Sequence, residues 1–311
     1  MELRHLRYFL AVADAGGFTA AARRLHLAQP ALSQQVRALE EELGVKLIER
    51  DARTRGLTEA GTQLALRARR MLLEAEAAVD EMTAYGDARR GCVRFGSALQ
   101  SLTEGRLPRL LVEFHRRSPD VRIAFREAHT ATLLADLAEG HLDLALVHLD
   151  GGDVAVESRV EAGRAQLVIE SLYREPLVLA VGPQHRLARR ATVRFAELAE
   201  EPFVSFGPGS TVRSLVARAA QQSGFEPRIT VSAMNLGTVR AMVSAGLGVS
   251  VLPRSALTLP GPPLRGLRLI APASSRVVVL AHNAIRYRSP TTQHFGKFLR
   301  DCIRHPRNQG A

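Results

Sequence analysis

The sequence predicts a protein of three parts: a mainly helical N-terminal domain, a long linker helix, and a larger C-terminal α/β domain. Three observations support this division. Apolar residues recur at helical spacing in three short segments within residues 1–57. A proline-free, alanine-rich stretch then extends from residue 58 to residue 107. Beyond residue 90, apolar strands alternate with amphipathic helices, which is typical of α/β subdomains.

Composition restricts the class of protein before any motif is considered. The chain has 311 residues, of which 46% are hydrophobic, enough for two or more domains with buried cores. No apolar run reaches the length of a membrane span, and the N-terminal segment MELRHLRYFL lacks the apolar core of a secretion signal. We therefore expect a cytoplasmic protein without a membrane partner. Cys92 and Cys302 are too few for a disulfide framework or a zinc site, so no metal is expected.

The net charge of +11 does not by itself indicate DNA binding. Residues 1–57 hold nine Lys and Arg against seven acidic residues, and most of the positive excess lies in residues 58–311. Bulk charge indicates non-specific attraction, whereas a DNA site needs cations placed on one surface. The placement of individual side chains must therefore carry the prediction.

The segment LAQPALSQQVRALEEELG, residues 27–44, predicts a helix that begins near Gln29 or Pro30 and ends at Gly44. Proline is tolerated in the first turn because its missing N–H has no partner there, and glycine supplies the left-handed residue of a C-cap. The predicted apolar face consists of Leu32, Val36, Leu39 and Leu43. One face of this helix is therefore core, and the opposite face is polar.

Two earlier helices place this segment in a helix-turn-helix. The first is stopped by Gly16–Gly17, and the second is short, with Thr19 as its N-cap and an end near Leu25. The N-terminal residues of the third helix can then reach base edges in the major groove, although a solvated helix face is the alternative. Candidate DNA contacts are Thr19, Gln29, Pro30, Ser33, Gln34 and Arg37. Residues 40–42 are acidic and should face away from DNA, because carboxylates repel phosphates.

A two-stranded wing is predicted next. Residues 45–48 suit a short strand, residues 51–56 a tight loop, and Leu57 the returning strand. Three arginines cluster on or beside this loop, where they could hold phosphates or enter the minor groove. They are Arg50, Arg53 and Arg55. An arginine-rich surface loop without a DNA partner is the alternative interpretation.

Residues 3–61 resemble the winged helix-turn-helix of LysR-type transcriptional regulators, in the motifs FTAAARRL, QPALSQQVRALEEELG, LIER and LTEAG. The resemblance implies a winged helix-turn-helix domain of residues 1–60 that reads double-stranded DNA with the helix beginning at Gln29 and contacts phosphates with the wing. It also implies control of transcription at a promoter or operator by a homo-oligomer, with RNA polymerase as a further candidate partner. Many members carry a serine at the position of Ala28, so this chain lacks one helix cap worth about 1 kcal/mol.

Residues 61–88 are predicted to form a linker and dimerisation helix. Small and apolar side chains repeat at alternating spacings of four and three residues, the pattern of a heptad seam. The seam consists of Leu64, Ala68, Met71, Ala75, Ala78 and Met82. A helix packed on its own domain would show the same stripe. The linker helix of the LysR-type family pairs in this way, which implies a homodimer and, with further contacts, a homotetramer.

Residues 89–311 are predicted to form an effector-binding regulatory domain of two Rossmann-like subdomains. Subdomain I comprises residues 89–165 and 268–311, and subdomain II comprises residues 166–267. Strands separated by helices, one of them over residues 103–117, indicate βαβ units and a mostly parallel sheet. The segments PRLLVEFHRRSPDVRIAFREAHTATLLADLAEGHLDLALV and GFEPRITVSAMNLGTVRAMVSAGLGVSVLP resemble the LysR-type effector domain, which in turn resembles periplasmic solute-binding proteins.

A ligand cleft is predicted at the carboxyl ends of the strands, where helices begin. Residues 101–104 have the form of a capping box, Thr130 opens a helix, and residues 207–211 open another; their free N–H groups make an anion site. By resemblance, the effector contacts map onto Gln100, Ser101, Thr130, His148 and Phe206. The first two of these are alternatives to one another. His148 could pair with a ligand carboxylate, so we expect a small anionic effector of unknown identity and no other cofactor.

Other classes of protein fit less well. The catalytic and phosphate-binding motifs G-x-S-x-G, G-x-G-x-x-G, H-E-x-x-H and the P-loop do not occur, so catalytic residues and enzyme activity are not expected. A solute-binding protein would need an export signal. A thiol redox regulator of the same fold is the main alternative, but Cys92 and Cys302 differ in position from the paired mid-domain cysteines of the family's peroxide sensors.

Overall fold

The computed structural model describes residues 1–49, 56–84, 90–103, 105–150, 157–162, 165–272 and 275–304. The chain divides into two units, Met1–Met82 and Thr83–Ala311, each of which is described by itself. Among the described helices, none is both long enough and apolar enough to cross a membrane.

Three short helices and the start of a long one build the N-terminal unit. The helices are α1 (Leu3–Ala15), α2 (Phe18–Leu25), α3 (Gln29–Leu43) and α4 (Glu59–Ala84). Their apolar faces meet in one core, in which Phe9 of α1 and both Leu32 and Val36 of α3 are fully buried. As predicted, α1 and α3 stop at left-handed glycines, Gly16 with φ 68° and Gly44 with φ 70°.

Two predictions for these helices are wrong at single residues. Thr19 is not the N-cap of α2, because the helix begins one residue earlier than predicted and Gly17 takes the cap position. Thr19 instead lies exposed in the first turn. Leu43 is not a core residue: it is 38% exposed, since the buried part of α3 ends at Glu40.

The predicted wing reduces to a single antiparallel bridge in the described part of the chain. Ile48 pairs with Leu57, and the Glu49 N–H donates to the Gly56 carbonyl at 3.0 Å. The rest of the wing lies outside the described residues. The same is true of its three predicted DNA contacts, Arg50, Arg53 and Arg55.

The linker helix α4 is tied to the base of the wing at its start. The Thr58 hydroxyl accepts from the Gly61 N–H at 2.9 Å and donates to the Lys46 carbonyl at 2.7 Å. The first part of the predicted seam serves this unit's own core, because Ala68 is fully buried there and Leu64 packs against it. Farther along, the seam is open: Met71 is 41% exposed and Met82 is 62% exposed.

The C-terminal unit is built around one long strand, β5, which passes from one half of a large sheet to the other. In chain order the strands are β1 (Gly91–Ser97), β2 (Val121–Glu127), β3 (Leu144–Asp150), β4 (Glu157–Ala162), β5 (Ala165–Val181), β6 (Thr192–Arg194), β7 (Pro202–Phe206), β8 (Arg228–Ala233), β9 (Ser250–Pro253), β10 (Arg265–Ile270) and β11 (Ser275–Asn283). The order across the sheet is β2-β1-β3-β11-β5-β10-β6. Strands β4 and β9 also pair with β5, and β7 pairs with β8 in a separate two-stranded sheet.

The prediction of a mostly parallel sheet is wrong, because the sheet is mixed. Strand β1 runs parallel to β2 and β3, and β10 runs parallel to β6. However, β5 is antiparallel to β4, β9, β10 and β11, and β11 is antiparallel to β3. The long strand crosses from one half to the other and the chain returns along β11, so the central pairs run in opposite directions.

The α-helices that the structure describes in this unit are α5 (Gln100–Thr103), α6 (Leu107–Arg117), α7 (Thr130–Glu139), α8 (Thr211–Gln222), α9 (Leu236–Ser244) and α10 (Pro290–Arg304). The single helix predicted over residues 103–117 is wrong. Helix α5 ends at Thr103, and α6 begins at Leu107 with Pro108 in its first turn. Proline is favoured in that first turn, and this fixes the start of α6.

Candidate functional site

The third helix presents two chemically distinct faces. Its apolar side chains, Leu32, Val36 and Leu39, are fully buried. On the other side, the candidate DNA contacts Gln29, Pro30, Gln34 and Arg37 are exposed, and Ser33 is half-buried. The packing of α3 against α1 and α2 therefore holds a polar, cationic edge outward near the start of the helix.

Three of the predicted contacts surround one depression on this unit. Thr19 of α2 and both Ser33 and Arg37 of α3 line it, together with the α1–α2 turn and the wing residues Glu49 and Leu57. The structure thus brings the start of α2, the middle of α3 and the wing base to a common surface. Gln29, Pro30 and Gln34 lie on α3 outside this depression.

Glu40 has a role that the sequence prediction missed. The sequence predicts that residues 40–42 face away from DNA as an acidic surface, but Glu40 is only 2% exposed. Its Oε1 accepts from the Leu47 N–H at 2.9 Å and from the Ile48 N–H at 3.3 Å, and Lys46 Nζ lies 3.3 Å from Oε2. The carboxylate therefore fixes the first strand of the wing to α3. The available signal was the position of Glu40 four residues after Val36, on the core face.

A cavity of about 390 Å³ lies in the C-terminal unit between the two halves of the fold. Helices α7, α8 and α9 all begin at its wall. The residues that line it are Ala98, Gln100, Glu127, Ala128, His129, Thr130, Thr132, His148, Phe206, Gly207, Gly209, Ser210, Thr211, Val212, Met234, Asn235, Leu236, Pro253 and Arg276. Its size is that of sites for small molecules.

Four of the five predicted effector contacts line this cavity: Gln100, Thr130, His148 and Phe206. The fifth, Ser101, lies in α5, and its side chain is outside the described part of the chain. Glu104 also lies outside the described residues, so the capping box of residues 101–104 stays a prediction. His148 lies near the end of β3, and Phe206 is the last residue of β7. Gln100 and Thr130 are the first residues of α5 and α7. The cavity therefore lies at strand ends and helix starts, where the sequence predicts it.

The three helix N-termini at the cavity differ in how their N–H groups are used. Helices α7 and α8 follow His129 and Ser210, and neither of these residues caps its helix through its side chain. At α9, by contrast, the Asn235 side chain accepts from the Thr238 N–H at 3.2 Å. The N–H groups that begin α7 and α8 are therefore the ones left for an anion.

Gln100 joins the two sides of the cavity. Its Nε2 donates to the Met234 carbonyl at 3.0 Å, and its Oε1 accepts from the Leu236 N–H at 3.0 Å. The side chain thus reaches from the end of β1 to the start of α9. Of the two alternatives at this position, Gln100 is the one whose side-chain bonds the structure describes.

His148, which is predicted to pair with a ligand carboxylate, is buried and held in its neutral form. The residue is 7% exposed, and burial lowers its pKa to about 3, with smaller contributions from Arg276 and His129. Its Nδ1 is buried without a hydrogen-bond partner among the described residues. The Thr130 hydroxyl lies 3.4 Å from the His148 carbonyl. The ring can therefore offer a hydrogen bond but not a charge.

An arginine that is not among the predicted effector contacts lies at the same wall. Arg276 of β11 is buried, and its Nε donates to Glu175 Oε2 at 2.8 Å, with Nη2 2.7 Å from the same oxygen. The Ser255 hydroxyl also donates to Glu175. The signal was an arginine and a glutamate within apolar strands, where an unpaired charge is costly and a partner is expected.

The cysteines are placed apart from this cavity. Cys92 lies in β1 and Cys302 in α10, and neither is among the described lining residues. Burial, followed by the nearby Glu113 carboxylate, raises the pKa of the Cys302 thiol. A raised pKa lowers the fraction of reactive thiolate.

The N-terminal helix-turn-helix and the C-terminal cavity domain together define a DNA-binding transcriptional regulator with a ligand-binding domain. Residues 3–62 match the family described as bacterial regulatory helix-turn-helix protein, lysR family, and residues 86–303 match the LysR substrate binding domain. The chain belongs to the LysR family of bacterial transcriptional regulators.

Individual relatives agree with this assignment. The chain is 35% identical over 257 residues to the HTH-type transcriptional regulator YnfL of Escherichia coli K12, covering 82% of this chain and 83% of YnfL. It is 33% identical over 260 residues to the hydrogen peroxide-inducible genes activator of Pectobacterium carotovorum, covering 84% and 82%. The crystal structure of full-length CbnR with its target DNA is similar with a TM-score of 0.70 and 26% identity, covering 97% of this chain and 99% of CbnR.

Proposed function

We propose that α3 reads operator bases through Gln29, Ser33, Gln34 and Arg37, while Thr19 at the start of α2 contacts a phosphate. The observation that carries this proposal is the division of α3 into a fully buried apolar face and an exposed polar face near its N-terminus. Glutamine side chains suit adenine edges, and arginine suits guanine or phosphate. Arg50, Arg53 and Arg55 of the wing stay predicted phosphate contacts, outside the described residues.

The effector is a small anionic molecule that occupies the cavity of the C-terminal unit. Helices α7 and α8 both begin at this cavity without a side-chain cap, and helix N-termini favour negative charge. Helix α7 packs on β3 and β11 of one half, whereas α8 packs on β7 and β9 of the other. A ligand held by both helices would therefore stabilise one arrangement of the two halves. The effector acts by binding rather than by being converted, and no resident cofactor is needed.

Oligomerisation proceeds through α4. The seam residues Met71 and Met82 remain well exposed in the isolated chain, whereas Ala68 is already buried in its own unit. Exposed apolar side chains at heptad spacing favour pairing with a second copy of the same helix. A homodimer through this part of α4 would present two α3 helices to the operator in the bacterial cytoplasm. Further assembly into a homotetramer would present four.

The test is a nuclease footprint of the region upstream of the protein's own gene, with and without a metabolite extract. We expect a protected site whose extent or boundaries change when the extract is added. The variant that tests the cavity is Thr132→Phe, which places a bulky side chain at an exposed position on the cavity wall. This variant should protect the site but no longer respond to the extract. If its response equals that of the wild type, the effector does not act from this cavity.

A thiol redox regulator is the second candidate, favoured by the similarity to a peroxide-inducible activator. The positions of Cys92 and Cys302 and the raised pKa of the Cys302 thiol weigh against it. Peroxide should therefore leave DNA binding unchanged in the wild type and in Cys92→Ser and Cys302→Ser variants. A peroxide response that either substitution abolishes would favour the redox candidate instead.

A further inference from the structure

Strand β4 lies at one edge of the large sheet in the C-terminal unit. It pairs with the first part of β5, and among the described residues β5 is its one strand partner. The other side of an edge strand carries a row of main-chain N–H and C=O groups that can serve as a template for a further strand. The composition of β4 therefore decides which strand could pair there.

The hydrogen bonds of β5 show which main-chain groups of β4 point to the open edge. The Ala284 N–H, just beyond the end of β11, donates to the Gln166 carbonyl at 2.8 Å, so Gln166 directs its main-chain groups away from β4. These groups alternate in direction along an antiparallel strand, so the next residue of β5 bonds toward β4, where it lies opposite Val160. The main-chain groups of Arg159 and Glu161 therefore point to the open edge.

The side chains of β4 differ between the two faces of the sheet. Val160 is 41% exposed and lies opposite the fully buried Leu167, at the margin of the core that α7 covers. Arg159 and Glu161 point to the opposite face, and both are exposed. The middle of the strand thus carries an incompletely buried apolar side chain between one positive and one negative charge.

Two copies of β4 have few ways to pair antiparallel about a two-fold axis. Aligning all six residues of the strand sets outward main-chain groups against inward ones, so no ladder forms. The alignments centred on Arg159 and on Val160 overlap the most residues of the strand, 157–161 and 158–162 respectively. Centring on Arg159 sets two arginines opposite each other, which is repulsive. Centring on Val160 sets the two valines opposite each other and each Arg159 opposite Glu161 of the other copy.

We propose that β4 is a docking edge for β4 of a second copy of this chain, in the alignment centred on Val160. Each opposed pair of Arg159 and Glu161 would exchange two main-chain hydrogen bonds and form an ion pair. The two β11 strands would lie five strand spacings, about 24 Å, apart. That distance accommodates both copies of α7, which packs on β11, because a helix is about 10 Å wide. This edge is distinct from the seam of α4 and requires no effector.

Cysteine cross-linking of the full-length protein tests the alignment. In a background with Cys92→Ser and Cys302→Ser, Val160→Cys places two thiols in a non-hydrogen-bonded pair whose Cα atoms lie about 4.5 Å apart, within reach of a disulfide. Ser158→Cys is the matched control on the same face, because its two copies would lie about 14 Å apart. Under mild oxidation, Val160→Cys should form a covalent dimer on a non-reducing gel, and Ser158→Cys should stay monomeric.

Charge reversal tests the ion pairs in the same assay. In the Val160→Cys protein, Arg159→Glu sets glutamates opposite each other and should slow cross-linking about tenfold, and Glu161→Arg should slow it equally by opposing arginines. Combining the two reversals restores opposite charges and should restore the rate. Arg189→Glu, the same charge reversal at an exposed position between β5 and β6, should leave the rate unchanged.

Two results would overturn the proposal. Equal cross-linking of Val160→Cys and Ser158→Cys would show that the two edges do not meet in this alignment. A combined variant that stays as slow as either single reversal would show that Arg159 and Glu161 do not pair between copies. In that case the charges keep other strands away from the edge.

Discussion

Burial of His148 makes the stability of the protein depend on pH in a defined window. The unfolded chain gives this histidine its ordinary pKa of 6.5, whereas burial lowers its pKa in the folded protein to about 3. Between these two values the unfolded state binds a proton that the folded state does not. The folded state therefore loses stability as the pH falls below 6.5 toward 3, and no loss is expected above 6.5.

The magnitude follows from the same two values. One pKa unit corresponds to about 1.4 kcal/mol. Because pH 5 lies about 1.5 pH units below the ordinary pKa of 6.5, protonation of His148 in the unfolded state lowers the free energy of unfolding by about 2 kcal/mol at that pH. Replacement by a residue that does not titrate removes this dependence. His148→Gln should therefore lose about 2 kcal/mol less than the wild type between pH 7 and pH 5.

Urea unfolding at both pH values, followed by circular dichroism, measures this difference. The matched control is His115→Gln, which replaces an exposed histidine of α6 and should lose as much stability as the wild type. If His148→Gln and the wild type lose equal amounts of unfolding free energy, His148 is not held neutral by burial, and the account of the cavity wall is wrong.

Three further substitutions test the N-terminal unit. Arg37→Ala should weaken operator binding and lower the salt slope of the affinity by about 0.9, as measured by titrations at several salt concentrations. Arg116→Ala removes the same charge from an exposed position of α6 and should leave the slope unaltered. Gly61→Ala places a methyl group against the main-chain carbonyl of Leu47 at the wing base and should lower the free energy of unfolding by about 1–3 kcal/mol, seen as a lower melting temperature. An unchanged melting temperature would contradict this close packing of α4 on the wing base. Glu40→Gln removes a buried carboxylate that accepts two main-chain hydrogen bonds and should cost about 1.5–3 kcal/mol, whereas exposed Glu41→Gln should cost little; equal costs in urea unfolding would contradict the role given to Glu40.

Local signals predicted the limits of α1 and α3 well. Each helix combines an apolar stripe with a glycine stop, and both features act within a few residues of the chain. The start of α2 was misplaced by one residue because a glycine, which offers no side chain to recognise, takes the cap position before Phe18. The local pattern thus predicted the helices but not the residue that caps α2.

Pairing between distant strands was beyond the reach of such patterns. The 17-residue strand β5 reads as two apolar segments in the sequence, and its paired residues in β9, β10 and β11 lie 70 (Ala180 to Ser250) to 116 (Leu167 to Asn283) positions later. The predicted parallel sheet followed from the alternation of strands and helices alone. The mixed sheet arises because β5 and β11 connect the two halves.

The sequence predicted where the cavity lies, but it did not predict which charged groups of its wall are paired or neutral. Helix starts after strands pointed to Thr130 and His148, yet the charge state of His148 depends on burial by residues far away in the chain. The partnership of Arg276 with Glu175 joins positions 101 residues apart, and the Gln100 contact with Leu236 joins positions 136 apart. Charge pairing and desolvation are properties of the assembled wall, so spacing along the sequence does not contain them.

One titration can measure operator DNA binding and the response to a ligand together. Fluorescence anisotropy of labelled operator DNA should show tight binding by the wild type, and the metabolite extract should shift that binding curve. Thr132→Phe should bind DNA with equal affinity but show no shift. If Thr132→Phe responds like the wild type, or if Arg37→Ala binds the operator as tightly as the wild type does, the central claim that α3 reads DNA under control of this cavity is contradicted.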